Sequence, residues 1–105
     1  MNIRPIDTKN MSKHFLFDRR DRLERIERVV GWGEPIAEVL DFNTGATKVL
    51  TDTGVVIIRA ISNNMIITAW IAEEAQANRI YREAHFTSMP QELRAKVIEN
   101  NKVAA

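Results

Sequence analysis

The sequence contains no cysteine, which excludes disulfide bonds, thiol catalysis and cysteine-based zinc sites. Histidine is nearly as scarce: the chain has only His14 and His85. Two histidines are too few for a histidine-rich metal site. We therefore expect neither a metal ion nor another cofactor. The net charge of +1 at pH 7 favours no particular class of partner, so the placement of the charges matters more than their sum.

Long apolar runs are also missing. No stretch approaches the roughly 20 apolar residues of a membrane span, and the first ten residues lack the apolar region of a signal peptide. We expect a soluble, cytoplasmic protein with no membrane partner. A chain of 105 residues with 45% apolar composition can build one domain around one modest core. We expect that domain to span residues 1–105, with an irregular lead-in at 1–10 and a flexible tail at 101–105.

Residues 12–30 have the pattern of an amphipathic helix. Apolar side chains share one arc of a helical wheel, and glycines at 31 and 33 end the pattern. Arg19 lies in the middle of the predicted apolar arc. An arginine in that position either extends its charge to solvent or meets a carboxylate or a phosphate. The arc consists of Phe15, Leu16, Leu23, Ile26, Val29 and Val30.

The rest of the chain predicts a sheet followed by two helices. Short turns join antiparallel neighbours, so the apolar segments after the first helix favour a four-stranded meander. A helix over about 72–85 follows, and the capping-box pattern from Ser88 to Gln91 opens a last helix that ends near Asn100. The predicted class is an α+β fold with an N-terminal helix, an antiparallel sheet and two C-terminal helices, the helices lying on one face of the sheet. The predicted strands are 36–42, 46–51, 55–61 and 65–71.

The predicted hairpin of the third and fourth strands carries the main functional signal. If the strands pair about a tight turn at Asn63 and Asn64, Arg59 faces Thr68, and Trp70 lies on the same face. The opposite face of the hairpin is then wholly apolar. A charge and a hydroxyl at the centre of a sheet need a reason, because unpaired burial is costly.

That polar face has two interpretations. In the first, the face holds single-stranded RNA: Arg59 neutralises a phosphate, Thr68 donates a hydrogen bond and Trp70 stacks on a base. His14, if it approached this face, would supply acid-base chemistry for attack by a 2′-hydroxyl. In the second, an arginine-threonine contact is an ordinary pair on an exposed sheet, and the tryptophan caps the core or a dimer interface. The sequence leaves both open.

The predicted first helix opens with S-K-H and carries repeated arginines, a short sheet follows, and the sheet ends in the strand I-I-T-A-W. In these features residues 12–70 resemble the small nuclease-like domains of the barnase, EndoU, colicin and RelE superfamily, in their short prophage and bacterial forms. Members of this superfamily are RNA-cleaving toxins or effectors that work without a metal. The resemblance implies that His14 is the helix histidine, Arg19 or Arg22 the helix arginine and Thr68 the hydroxyl of the last strand.

Two functions follow from these observations. The first is an RNA-binding protein of phage or mobile-element type, which the resemblance extends to metal-independent RNA cleavage. The second is a non-catalytic protein-binding module, such as an inhibitor of a host nuclease or defence complex, or a homodimer; small size and mixed charge suit it. Whether the protein is an enzyme is left open. The predicted site residues are His14, Arg19 and Thr68 for catalysis and Arg22, Arg59 and Trp70 for nucleic-acid binding.

Overall fold

The computed structural model describes residues 3–41 and 43–104, and it confirms the predicted α+β class. Residue 42, which ends the first predicted strand, lies outside the described residues, as do residues 1 and 2 of the lead-in and residue 105 of the tail. The sheet is an antiparallel meander in the order β1-β2-β3-β4. Its strands are β1 (Pro35–Asp41), β2 (Ala46–Thr51), β3 (Val55–Ala60) and β4 (Ile66–Ile71).

The N-terminal helix is a cluster of three short pieces, which we call the N-terminal helical segment. A π-helical turn at His14–Asp18 precedes the α-helix α1 at Arg20–Arg25, and a second π-helical turn follows at Ile26–Val30. Arg19 separates the first two pieces with backbone angles φ −120° and ψ 31°, outside the helical region. Gly31 ends the segment at φ 76°, as the glycine pattern predicts.

This irregularity overturns part of the predicted apolar arc. A π-helical turn holds more residues than an α-helical turn, so the positions after it rotate around the helix axis. Phe15 and Ile26 are buried as expected, whereas Leu16 and Val29 are exposed. Arg19 is also exposed instead of pointing into the core, because the break in the helix falls on this residue.

The two C-terminal helices are α2 (Glu74–His85) and α3 (Gln91–Ala104). The predicted capping box is wrong, because α3 begins at Gln91 and its first turn closes on the Pro90 carbonyl, which accepts from Arg94 N at 3.0 Å; Pro90, not Ser88, is therefore the N-cap. The helix also continues past residue 100. Residues 101–104, expected in a flexible tail, form its last turn.

Helices cover both faces of the sheet, where the sequence predicted only one covered face. Neighbouring residues of β2 show this directly: Val49 packs under the N-terminal helical segment, and Leu50 packs against α2 and α3. Side chains alternate across a strand, so the two clusters lie on opposite faces. Buried members of the first cluster are Phe15, Ile26, Val49, Val55, Ile57, Ile66 and Ala69. Those of the second are Ala37, Leu50, Val56, Ala72, Ala77, Ile80, Met89 and Val97.

The predicted register of the β3-β4 hairpin is wrong because β4 contains a β-bulge. Ile58 pairs with Thr68, but the next residue, Arg59, pairs with Ile66, which leaves Ile67 as the extra residue. Without the bulge, Thr68 would share the face of Arg59. With it, Thr68 is turned to the opposite face, because a shift of one residue exchanges the two faces of a strand.

The lead-in explains how the bulge is tolerated. Residues 10–12 run beside β4, where Ser12 N donates to Ile66 O and Ile66 N donates to Asn10 O, both at 2.8 Å. The Ser12 hydroxyl donates to the carbonyl of Ile67, also at 2.8 Å. Three backbone groups on the outer edge of β4, at and beside the bulge, therefore have hydrogen-bond partners.

Candidate functional site

The guanidinium of Arg59 is enclosed by the protein. Its side chain is 0% exposed. Nε and Nη2 donate to Glu38 Oε2 at 3.3 and 3.0 Å, and Nη1 donates to the backbone carbonyls of Arg4 and Pro5 at 3.0 and 3.1 Å. The predicted phosphate contact needs an arginine that reaches solvent. The guanidinium of Arg59 is buried and bonded within the protein, so its role in this structure is to stabilise the fold.

Glu38 is the partner that the sequence interpretation missed. It lies in the middle of β1 among apolar residues, and its Oε2 also accepts a hydrogen bond from the Thr47 hydroxyl at 2.7 Å. One polar residue from each of three neighbouring strands therefore meets under the lead-in. The signal was present in the sequence, since an acid inside one predicted strand complements a base inside another.

Thr68 lies on the other face of the sheet. It is two residues from Trp70, which packs against the second cluster, the one that contains Leu50, so the two side chains share that face. The Thr68 hydroxyl oxygen is buried and has no hydrogen-bond partner within the described part of the chain. The hydroxyl is thus separated by the sheet from the N-terminal helical segment.

His14 and Arg19 do not join Thr68. The His14 ring binds Asp18 through Nδ1 and Oδ2 at 2.8 Å, and both side chains are largely exposed. His14 and Arg19 belong to a segment that buries Phe15 on the face opposite Thr68. The structure therefore does not bring the three predicted catalytic residues to one phosphate.

Two of the predicted nucleic-acid-binding residues do come together. Arg22 of α1 and Trp70 of β4 line one groove of about 220 Å³ at the outer edge of β4. We call it the β4-edge groove. Arg25 and Ile71 line its walls as well, and its far side is formed by the end of α3 through Asn101 and Ala104.

The charges of the β4-edge groove are uncompensated. Neither Arg22 nor Arg25 makes an ion pair with any residue in 3–41 or 43–104. Asp18, four residues before Arg22, binds His14 instead. No acidic side chain from these ranges lines the groove, so the two guanidinium groups are the formal side-chain charges among its lining residues.

The aromatic side of the groove is held in place. The indole N–H of Trp70 donates to Gln76 Oε1 of α2 at 2.9 Å, which fixes the ring relative to the helix. The Asn101 amide N–H donates to Ala72 O at 3.1 Å and ties α3 to the end of β4. Two cationic side chains and one fixed aromatic ring suit a phosphate backbone carrying an unstacked base.

A larger groove of about 580 Å³ lies along α2 and is also basic. It is lined by Arg79, Arg82 and Phe86, but Glu83 stands beside the two arginines and offsets part of their charge. Its lining comes from α2 and the residue that ends it. The β4-edge groove is therefore the better candidate for an anionic ligand.

No protein-family model, curated protein or solved structure matches this chain. The resemblance to the barnase, EndoU, colicin and RelE superfamily stays a prediction. Within the described residues, no three histidine or acidic side chains are grouped to hold a metal ion. None of the helices described is both long and apolar enough to cross a membrane.

Proposed function

We propose that this protein binds single-stranded RNA in the β4-edge groove. The observation that carries the proposal is the convergence of Arg22, Arg25 and Trp70 on one groove that no acidic residue of the described chain lines. Single-stranded nucleic acids are held by a positive groove along the backbone and by aromatic rings that stack on the bases. The groove supplies both elements.

The proposal is binding without cleavage. General acid-base catalysis needs its groups within hydrogen-bond reach of one reacting centre. His14 is paired with Asp18 on one side of the sheet, and Thr68 faces the other side. The β4-edge groove itself is lined by neither histidine.

A titration of end-labelled single-stranded oligouridine by fluorescence anisotropy, at several salt concentrations and in EDTA, tests the proposal. Wild type should bind more weakly as salt rises, because bound phosphates release counterions. The double variant Arg22→Ala/Arg25→Ala should bind more weakly and lower the slope of log K against log salt by about 1.4, since each single-strand phosphate contact contributes about 0.7. RNA recovered intact after the titration supports binding alone.

A matched control separates this groove from general charge effects. Arg79→Ala/Arg82→Ala removes the same number of charges from the α2 groove and should leave both affinity and salt slope close to wild type. Trp70→Ala should weaken binding by about 1–3 kcal/mol through lost stacking, whereas Trp70→Phe retains most of it. Equal effects of the two arginine pairs, or no salt-dependent binding by wild type, would refute the proposal.

A further inference from the structure

Asn101 is the one uncharged polar side chain among the described residues that line the β4-edge groove. Its amide N–H donates to Ala72 O at 3.1 Å. Because a carbonyl oxygen can only accept a hydrogen bond, this contact fixes which end of the amide is nitrogen and which is oxygen. The side-chain oxygen, Oδ1, receives no hydrogen bond from residues 3–41 or 43–104. The groove therefore contains an oriented acceptor that is free to bind a ligand.

The other side chains that line the groove supply no acceptor. Both arginines carry hydrogen-bond donors alone. The one polar atom of Trp70 already donates to Gln76 Oε1, so its ring offers the groove only an apolar surface. The two remaining lining residues are apolar: Ile71 and Ala104. Within the described lining, Asn101 Oδ1 is thus the only side-chain acceptor that could contact a base.

The size and order of the groove suit a single nucleotide. Its volume of about 220 Å³ is smaller than the roughly 300–1,000 Å³ of pockets that enclose a drug-sized ligand, so it accommodates one base. The arginines lie on α1, the indole ring on β4 and the amide on α3. A nucleotide has the matching order of phosphate, sugar and base edge. With its phosphate at α1 and its base on Trp70, it directs the edge of the base toward Asn101.

An acceptor at the edge of a stacked base favours a base that carries a donor there. Cytosine and adenine each have an amino group beside a ring nitrogen that accepts. The amino group can donate to Asn101 Oδ1, and the second N–H of the amide can donate to the ring nitrogen. Uracil has a carbonyl oxygen on each side of its single ring N–H, and one of these oxygens would lie against Oδ1. Two acceptors in contact without a donor between them are unfavourable.

We infer that the β4-edge groove prefers a base with an amino group beside a ring nitrogen, which is cytosine or adenine, and that Asn101 determines this preference. The inference rests on the proposed RNA binding, since the arginines must hold the phosphates for the base to reach the amide. It adds the chemical class of base that the groove selects.

A comparison of end-labelled oligocytidine and oligouridine of equal length tests the preference by fluorescence anisotropy. The two RNAs share their backbone and ring size and differ at the base edge that faces Asn101. Wild type should bind oligocytidine about fivefold or more tightly. Both RNAs should show the same dependence on salt, because their phosphate contacts are the same. A single adenosine placed within oligouridine should raise the affinity in the same way.

A matched pair of variants assigns the preference to Asn101. Asn101→Leu should weaken the binding of oligocytidine and bring the two affinities together, while oligouridine binding stays near wild type. Asn100 is the control, because its amide also donates to a backbone carbonyl, Thr53 O at 2.8 Å, but it does not line the groove. Asn100→Leu should therefore keep the preference. Circular dichroism verifies that both variants are folded.

The possible outcomes separate this inference from the proposed RNA binding. Salt-dependent binding of both RNAs with equal affinity would overturn the base preference and leave the proposed binding in place. A preference that survives Asn101→Leu, or that Asn100→Leu also abolishes, would overturn the role of Asn101. Absence of salt-dependent binding to either RNA would refute the RNA binding itself, and this inference with it.

Discussion

Arg59 and Glu38 belong to strands that are not neighbours, yet Arg59 Nη2 lies 3.0 Å from Glu38 Oε2. The pair crosses over β2, where Thr47 donates a further hydrogen bond to the same carboxylate oxygen. The Arg59 side chain is fully buried, while that of Glu38 is 23% exposed. The arginine therefore depends on its partners more than the glutamate does, because its charge has no contact with water.

Removing Glu38 should consequently cost more stability than removing the whole pair. Glu38→Leu leaves a buried, uncompensated guanidinium and should lower the free energy of unfolding by about 3 kcal/mol or more. The double variant Glu38→Leu/Arg59→Met replaces the pair with apolar groups of similar size and should recover much of that loss. Urea denaturation of the single and double variants measures the coupling, and simple additivity would contradict this description.

Gly33 should not tolerate a side chain, whereas Gly45 should tolerate one better. Both residues have left-handed backbone angles, with φ 75° and 67°. A Cβ at Gly33 would collide with Asp52 Oδ1 and would lie 2.8 Å from Thr53 Oγ1, but a Cβ at Gly45 meets nothing of the described chain within 4 Å. Gly45→Ala should cost about 1 kcal/mol of backbone strain. Gly33→Ala should cost at least about 1 kcal/mol more by thermal unfolding, and equal losses would show that the contacts at Gly33 relax freely.

The buried hydroxyl of Thr68, which has no partner in the described ranges, makes this threonine replaceable. Thr68→Val keeps the β-branched shape and removes that oxygen, so it should stabilise the protein by about 1 kcal/mol. Thr51 provides the control, since its buried hydroxyl contacts Thr53 Oγ1 at 3.1 Å and accepts from Val55 N at 3.2 Å. Thr51→Val should destabilise by about 1 kcal/mol. Chemical denaturation should therefore give opposite signs for the same substitution.

Phe86 should be a poor residue for its place at the end of α2. It is 93% exposed and adopts the left-handed conformation, with φ 59°, while its N–H donates to Arg82 O at 2.7 Å. Glycine accepts this conformation without a steric penalty and is the preferred residue there. Phe86→Gly should raise the free energy of unfolding by about 0.5–1 kcal/mol. A loss of stability in calorimetry would mean that the ring packs against the protein in solution.

The order of elements was predictable because each strand and turn carries its own local signal. The strand bounds agree with the structure to within about one residue wherever both are described, since glycine, asparagine and aspartate sit at the turns. The α+β class follows from this order alone. Which side chains lie on which face of a strand or helix depends on local irregularities that the order of elements does not determine.

Two such irregularities determine which of the predicted site residues lie together. The bulge at Ile67 moves Thr68 and Trp70 away from the face of Arg59, and its partners come from residues 10–12, more than 50 residues earlier. The pattern of residues within β4 cannot predict a contact with residues so far away in the sequence. The break that follows the first π-helical turn similarly leaves Arg19 exposed, although the apolar spacing fits a regular helix. Arg22 and Trp70 were identified from residue type, but their shared groove depends on where α3 ends.

The anchoring of the lead-in has a consequence for the order of folding. Arg59 donates hydrogen bonds to the backbone carbonyls of Arg4 and Pro5. This attachment therefore depends on the backbone path of the lead-in and not on its side chains. Those contacts join positions 54 and 55 residues apart, and they need β1 and β3 already in place to supply Glu38 and Arg59. Closing a loop of this length costs chain entropy before the hydrogen bonds that compensate for it can form. We therefore expect the lead-in to dock after the sheet has formed and to open before the sheet unfolds.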